Sequence, residues 1–599
     1  SVFRYISSFP DSNPAPRDVI PKEQVLVPDE YHTLGFPEVR PDISVMDRGL
    51  QSKLWRHRAA FGEVKWNVGH GPDPPQPGRV SVIVTQAAGY ARLHMSARPF
   101  SLFSVALLIF GTRFCVGIFD RNGVVLSPTY EMFAEEGLKK LIGVVRNLTH
   151  VLTDVDLGRD PTVDILDSDE AERLTGVSNP YPLYRISPIG QDNRSWCTIG
   201  PPVWSSISLL GRGTLIFRVR EYHPGTGQGN VAHLGDQTMV MKTAWRDSGR
   251  NSESSIYQSI TASHPGLAQF LIGEDVITAG GATLTVDSVR GNAAKLEDSP
   301  VLHRLILRSV GRPLWEYNSD LELLKGWLAA LNAHEFLSSR KVLHRDVSPG
   351  NILLAADPEK AEAGSEGFLS DLEYAHIQDI LETKVEVIER EPVKRGRTAE
   401  DKAKRGAPLT GTRHFMSSKL LSAVGRGSPT KHVVEDDIES FVWSLGYAVM
   451  RKAVTATNGN KDEKEAHELY MTSFKKAFSH LSAQAILDNR KSTHSPVAFA
   501  RLPELDSFID RQVSVPLQKL LRALQQRMRK RTIYEEDEQT RMLRPEQESE
   551  VAALLGSPTD ALDTLSLAAV ELSYEFLRRV TLPCIQELES HRNLDIIRK

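Results

Sequence analysis

Apolar residues along the chain follow two regimes. Up to about residue 320 they come in short alternating or continuous runs broken by glycine and proline, as in "SISLLGRGTLIFRVREYH" (206–223) and "TMVMKTAW" (238–245). Such runs predict strands. From 321 onward the apolar spacing turns helical, as in "LELLKGWLAALNAHEFL". A small β-rich lobe is therefore expected ahead of a large helical one. Before both lies a block of mixed strand-like and helical pieces over 1–190, ending in the turn-rich "VSNPYPLYRISPIGQDNRSW", which is expected to be a linker or domain edge. The longest apolar run, "FSLFSVALLIFGTRFCVGIF" (100–119), is interrupted by Gly111, Thr112 and Arg113, too early for a helix that spans a bilayer. With "DRNG" (120–123) as a turn, it predicts a strand meander.

Length and charge narrow the picture little. A chain of 599 residues exceeds one hydrophobic core, so several domains are expected. We divide it into a mixed α/β domain (1–190), a β-rich lobe (196–310), a helical lobe (311–545) and a helical C-terminal extension (546–599), an α+β protein as a whole. The net charge of -4 argues against a nucleic-acid protein defined by bulk basicity, while local basic patches leave a nucleic-acid partner open. Cys115, Cys197 and Cys584 are too scattered for a metal motif and are expected as buried free thiols in a reducing compartment. The chain starts at Ser1 with no methionine and no signal-like segment, so the true N-terminus is expected to lie outside it and the protein to be soluble and intracellular. Residues 384–410, "KVEVIEREPVKRGRTAEDKAKRGAPLT", are charged and weakly hydrophobic and are expected to be mobile. The basic clusters "VKRGR", "KAKR" and "RMRKR" (527–531) are expected mainly as solvated charge, with a nuclear as well as a cytoplasmic location left open.

The chemistry concentrates in "VLHRDVSPGNILL" (342–354), where His344, Arg345, Asp346 and Asn351 sit on a turn between two aliphatic runs. Phosphoryl transfer needs a carboxylate near the attacking hydroxyl, ligands for magnesium and positive charge on the phosphates. Asp346 suits the first role and Asn351 the second. Asp371 in "GFLSDLEYA" offers a stronger ligand at the end of a nearby strand.

These residues resemble the protein kinases, and most closely the fungal-type protein kinase family, over roughly 200–530. In "GRGT", Gly211 and Gly213 resemble the loop over the nucleotide phosphates. "VMK" resembles the strand with the nucleotide lysine, Lys242, and "RNSESSIY" offers Glu253 as its helix partner. "ILRSVGRPL" (306–314) fits the hinge between lobes, and "GTRHFMSSKLL" (411–421) the end of an activation segment, with Thr412 against the catalytic Asp. "EDDIESFVWSLGYAV" offers Asp437 as the buried acid that holds the catalytic turn, which His344 braces. The resemblance implies a two-lobed fold that binds ATP and magnesium (or manganese) between the lobes and phosphorylates serine or threonine of a protein substrate. Arg345 is expected to pair with a phosphate in the activation segment, with Thr412 and Thr398 as candidates.

The chain departs from that pattern in several places. A third glycine is lacking, Ser348 stands where a phosphate-contacting lysine is usual, Leu372 and Glu373 follow Asp371, and Lys419 occupies the position of the closing Glu. The usual arginine pair of that Glu is therefore not expected in the same form. "DLEYA" also resembles the choline and aminoglycoside kinases, which phosphorylate small molecules. The departures together allow a catalytically weak pseudokinase scaffold as well.

In the first block, Asp42 of "RPDISV", Glu63 and Lys65 of "GEVKW", and Gln86 and Tyr90 one helical turn apart in "TQAAGYARLHM" resemble the restriction-endonuclease-like fold, particularly RecB-type nucleases. That resemblance implies two carboxylates on magnesium and a lysine supporting the attacking water. The plainer reading is a turn before a strand and an exposed strand face.

Overall fold

In the computed structural model the described residues are 16–21, 26, 38–72, 81–178, 181–190, 192–225, 231–291, 299–377, 411–428, 430–459, 463–480, 482–493, 512–543 and 571–597. They form mixed helices and sheets, an α+β protein, and no helix among them is long and apolar enough to cross a membrane. The chain divides into two compact units, Ser1–Ser255 with Phe270–Val310, and Ile256–Gln269 with Gly311–Lys599. Residues 378–410, and with them the segment expected to be mobile, lie outside the described residues.

The first unit holds two sheets. Strands β1 (Arg17–Pro21), β2 (Ile43–Asp47), β3 (Arg58–Lys65), β4 (Phe103–Phe110), β5 (Arg113–Asp120) and β6 (Gly123–Leu126) lie side by side in that order. All neighbours are antiparallel except β3 and β4, whose parallel pairing requires a crossover. Helix α1 (Val82–Ala97) supplies it, capped at its start by the Ser81 side chain. The continuous apolar run of β4 has a simple cause. Ala106, Leu108 and Phe110 pack with Ile83, Ala87 and Ala91 of α1 on one face, while Val105, Leu107 and Ile109 pack with Leu141 and Val145 of α2 (Glu135–Arg146) on the other. A strand covered on both faces has no solvent side to keep polar. All three cysteines are buried free thiols.

The second sheet of this unit joins β7 (Val163–Ile165), β8 (Tyr184–Ile186), β9 (Ser195–Thr198), β10 (Leu215–His223), β11 (Met239–Arg246), β12 (Phe270–Asp275) and β13 (Val301–Leu307), with spatial order β12-β13-β11-β10-β9-β8-β7. The expected division at 190–196 falls inside this sheet. The stretch read as a linker is core: Tyr181, Leu183, Ile186 and Trp196 are all buried. Its prolines and glycine punctuate strands here, and its aromatic residues, which a linker would expose, supply the packing. One face of the sheet (Tyr184, Ile186, Phe217, Val219, Met239, Met241) packs with Phe100, and Phe100 stacks on Phe217 at 5.4 Å between centroids.

In the second unit, β14 (Gly311–Pro313), β15 (Ile352–Ala355) and β16 (Gly367–Leu369) form a small antiparallel sheet beside helix α3 (Asp320–Ser339). The helix is buried on several sides, with Trp327 donating its indole N–H to the Phe441 carbonyl of α4 (Val434–Thr457) at 3.1 Å. The described part of this unit also holds the helices Gly411–Phe415, Ser418–Arg426 and Lys464–Phe478, together with α5 (Ala483–Thr493), α6 (Val515–Leu543) and α7 (Tyr574–Ile597). The basic cluster 527–531 lies on α6 and is not uniformly solvated: Arg527 stacks over Phe576 and Arg531 lies 3.6 Å from Glu439.

Candidate active site

In the second unit the apolar runs flanking 342–354 are short strands, Val342–Leu343 and β15, and the polar residues between them sit on an irregular turn. Arg345 has a φ of 65° and so does Asp371. Non-glycine residues in this left-handed region are strained and persist only where surrounding bonds over-determine them. Those bonds are present. The Asp437 carboxylate accepts the Arg345 backbone N–H at 3.1 Å, His334 Nε2 at 3.0 Å and His432 Nε2 at 2.8 Å. Burial pushes this carboxyl up in pKa, but the hydrogen bonds from His334 and His432 more than offset it and hold the group far below the carboxylate range. His334 Nδ1 is in turn 2.7 Å from the Tyr574 hydroxyl.

His344 is fully buried, and its burial lowers its pKa, so the ring is neutral. Its Nε2 donates to the Ser370 carbonyl at 3.0 Å, which leaves Nδ1 to accept the Asp346 N–H at 3.3 Å. The imidazole therefore joins the turn to the residue preceding Asp371. Ser370 N–H donates to the Asn351 carbonyl at 2.8 Å, a second tie. Asn351 Nδ2 donates to the Asp346 carbonyl at 2.8 Å and to Asp346 Oδ2 at 3.3 Å. With its nitrogen committed, the Asn351 amide presents its oxygen as the remaining donor atom. Asp371 Oδ1 accepts the Glu373 N–H at 3.4 Å. An amide oxygen and a carboxylate tied to one turn are the hard oxygen donors that suit magnesium.

The first unit brings together Lys242 of β11 and Glu253 at the start of the helix Glu253–Ser259. Their side chains, 7 % and 3 % exposed, form an ion pair of 2.6 Å. Gly211 (φ 91°) and Gly213 (φ 53°) lie in the connection from β9 to β10. The same unit also clusters the five residues of the first block. Lys65 Nζ is 2.5 Å from Glu63 Oε1, Asp42 Oδ2 accepts the Val64 N–H at 2.9 Å, and Gln86 Nε2 donates to the Tyr90 hydroxyl at 2.8 Å. Far from an exposed strand face, Glu63 is 2 % exposed and turned to the same face as Phe61, against α1. Burial first, and the nearby Asp42 charge, raise its pKa against the pull of Lys65. Its Oε2 has no hydrogen-bond partner among the described residues.

The side chain of Thr412 and the whole of Thr398 fall outside the described residues. What the sequence did not disclose is a buried acid that bonds to the segment next to Lys419. Glu439, fully buried on α4, accepts from the Ser418 N–H at 2.8 Å, the Ser418 hydroxyl at 2.9 Å and the Trp443 indole at 3.0 Å, and pairs with Arg490 of α5 at 3.6 Å. Arg490 donates to the carbonyls of His414 and Met416 at 2.8 Å and stacks over Trp443. Lys419 itself turns to Asp436 at 3.5 Å. A charged residue on the apolar side of "EDDIESFVWSLGYAV" was the available signal.

No curated protein matches the chain. The model of the family described as Fungal protein kinase matches residues 75–299 and 294–449, more than half of the chain. With the paired lysine and glutamate and the braced acidic turn in hand, the chain belongs to the fungal protein kinase family.

Proposed function

We propose that this chain transfers the γ-phosphoryl group of ATP to serine or threonine hydroxyls of protein substrates. The observation that carries the reading is the braced turn, in which Asp346 and Asn351 are bonded to each other and fixed through Asp437 and His344. Asp346 would accept the proton of the attacking hydroxyl. Lys242, oriented by Glu253, would neutralise nucleotide phosphate charge, a role that Ser348 cannot share. Asn351 and Asp371 would hold magnesium, which supplies charge neutralisation on the transferred group when bound. Arg345 would pair with a phosphate in the activation segment, and Thr412 is the candidate at the end of that segment. The fold that accompanies this reading is two-lobed, with the sheet of β7 to β13 as the centre of the smaller lobe, 311–545 as the larger, and a helical extension after it.

The test is incubation of the full chain with labelled ATP and magnesium, offering a mixed protein acceptor and, in parallel, choline and an aminoglycoside. Label on phosphoserine or phosphothreonine is expected. Label on a small acceptor alone would favour the small-molecule kinase reading, and bound nucleotide with no transfer would favour the pseudokinase. Lys242→Met should lower kcat/KM roughly 10²–10³-fold, since it removes one preorganised charge from the transferred phosphate. An unchanged rate would remove Lys242 from the machinery.

We infer a second reading for the first block, favoured by the buried and unpartnered Glu63 Oε2 beside Asp42 and Lys65. Two carboxylates and an amine suit a divalent cation and hydrolysis of a phosphodiester. Asp42 and Glu63 would hold the cation, and Gln86 and Tyr90 would border it. The full chain, given linear DNA with magnesium or manganese, is expected to cleave it, and Asp42→Ala should reduce cleavage at least about tenfold. Equal cleavage by both proteins, or none by either, would reject this reading.

A further inference from the structure

The loop with Gly211 and Gly213 is not a free flap. Its flanks are closed by bonds from Ser206 N–H to the Thr214 carbonyl (2.9 Å) and from Trp245 N–H to the Arg212 carbonyl (2.8 Å). Several further bonds tie it to the sheet-and-helix layer of residues 17–126. Ser96, near the end of α1 and 1 % exposed, donates its hydroxyl to the Ser206 carbonyl at 2.9 Å, and Ser205 returns a bond to the Ser96 carbonyl at 3.3 Å. Leu209 packs into the core shared by α1 and β4. At the β5–β6 turn, the Arg121 carbonyl accepts the Gly211 N–H at 2.9 Å while Arg121 Nη1 donates to the Ser208 carbonyl at 2.5 Å.

The fit is close at Gly213. A Cβ there would overlap the Arg121 guanidinium, and the φ of 53° disfavours any other residue. Arg121 is itself buried, and its burial lowers its pKa to about 10. The turn that carries it is fixed by its neighbour, since Asp120 accepts a bidentate pair from Arg290 of the helix Val286–Arg290 at 2.6 and 2.8 Å, and the Asn122 N–H at 2.8 Å. Burying a guanidinium with little anionic compensation costs free energy, and what it purchases here is a fixed loop.

We propose that the layer preceding the kinase strands is a brace for the glycine-rich loop, and that Arg121 is the positioning residue that holds this loop ready for nucleotide phosphate. The proposal rests on the kinase reading for its consequence but not for the contact. Arg121 touches no reacting atom. It acts by removing the ordering cost that a mobile loop would meet on binding.

Two measurements on the full chain test it. Backbone amide exchange over 206–214 needs no nucleotide: the wild type should be protected, and Arg121→Met, which keeps the side-chain stem but removes its donors, should lose about tenfold or more of that protection. Titration with MgATP should then show an affinity about tenfold weaker for Arg121→Met, with Arg121→Lys near wild type and kcat changed far less than KM. Free exchange of the loop in the wild type overturns the brace whether or not any variant folds. Protected exchange with equal or tighter MgATP binding in Arg121→Met overturns its role in positioning. A wild type that shows a protected loop yet binds no MgATP overturns the kinase reading and leaves the contact itself standing.

Discussion

Asp346→Asn in the full chain is expected to lower phosphoryl transfer from MgATP roughly 10²–10⁴-fold, the usual share of a positioned general base. The substitution keeps the size of the side chain and its ability to accept from Asn351 Nδ2, which lies 3.3 Å from Oδ2. It removes the basicity together with the charge. Stability and MgATP affinity should therefore stay near wild type, because the turn is held by Asp437, His344 and the Asn351 bond to the Asp346 carbonyl, none of which needs a charge at position 346. Transfer of labelled phosphate, titration with MgATP and a thermal melt on the two proteins check the three parts. Equal transfer by wild type and variant would exclude Asp346 as the base.

Glu439→Ala should cost about 3–5 kcal/mol of stability, the usual loss when one partner of a buried ion pair is removed. Arg490, only 9 % exposed and itself shifted down to about 10 by burial, would keep its place over Trp443 with its carboxylate gone. The Ser418 and Trp443 donors would lose their acceptor together. Because Arg490 and Ser418 hold the segment from His414 to Ser418, transfer activity should fall with stability. The pH dependence has a definite sign. Burial raises the Glu439 pKa, but Arg531 and Arg490 outweigh it, so the folded value lies below the unfolded one. Its contribution is full above the unfolded value of about 4.3 and is lost as pH falls through the folded value. The stability gap between wild type and Glu439→Gln, measured by urea unfolding, should accordingly shrink on acidification below about pH 4.3. A gap independent of pH would show that the carboxylate is not the group that matters.

The turn proposed as catalytic was visible in the sequence because its residues are neighbours in the chain. Four polar residues between two aliphatic runs cannot be an ordinary loop, and the strands on either side are present in the structure. The pair Lys242 and Glu253 was legible for a related reason, as a strand and the start of the next helix bring them together over a short separation. The stretch 177–196 misled because its glycine and prolines signal turns, whereas its aromatic residues, buried against Phe217 and Val219, decide its place. Glu439 was not singled out in the sequence, although it is buried and bonded to Ser418 beside Lys419. Its partner Arg490 lies on a different helix.

Residue pattern alone thus determined the turn that carries Asp346 and Asn351 and the family of the chain, since each motif depends on neighbours a few positions apart. Tertiary structure alone decided that Arg121 meets the Gly211 loop, that Arg490 meets Glu439 and that Glu63 is left with a buried oxygen. The physical reason is that the cost of burying a charge, and the partner that offsets it, depend on distance through the fold and not along the chain.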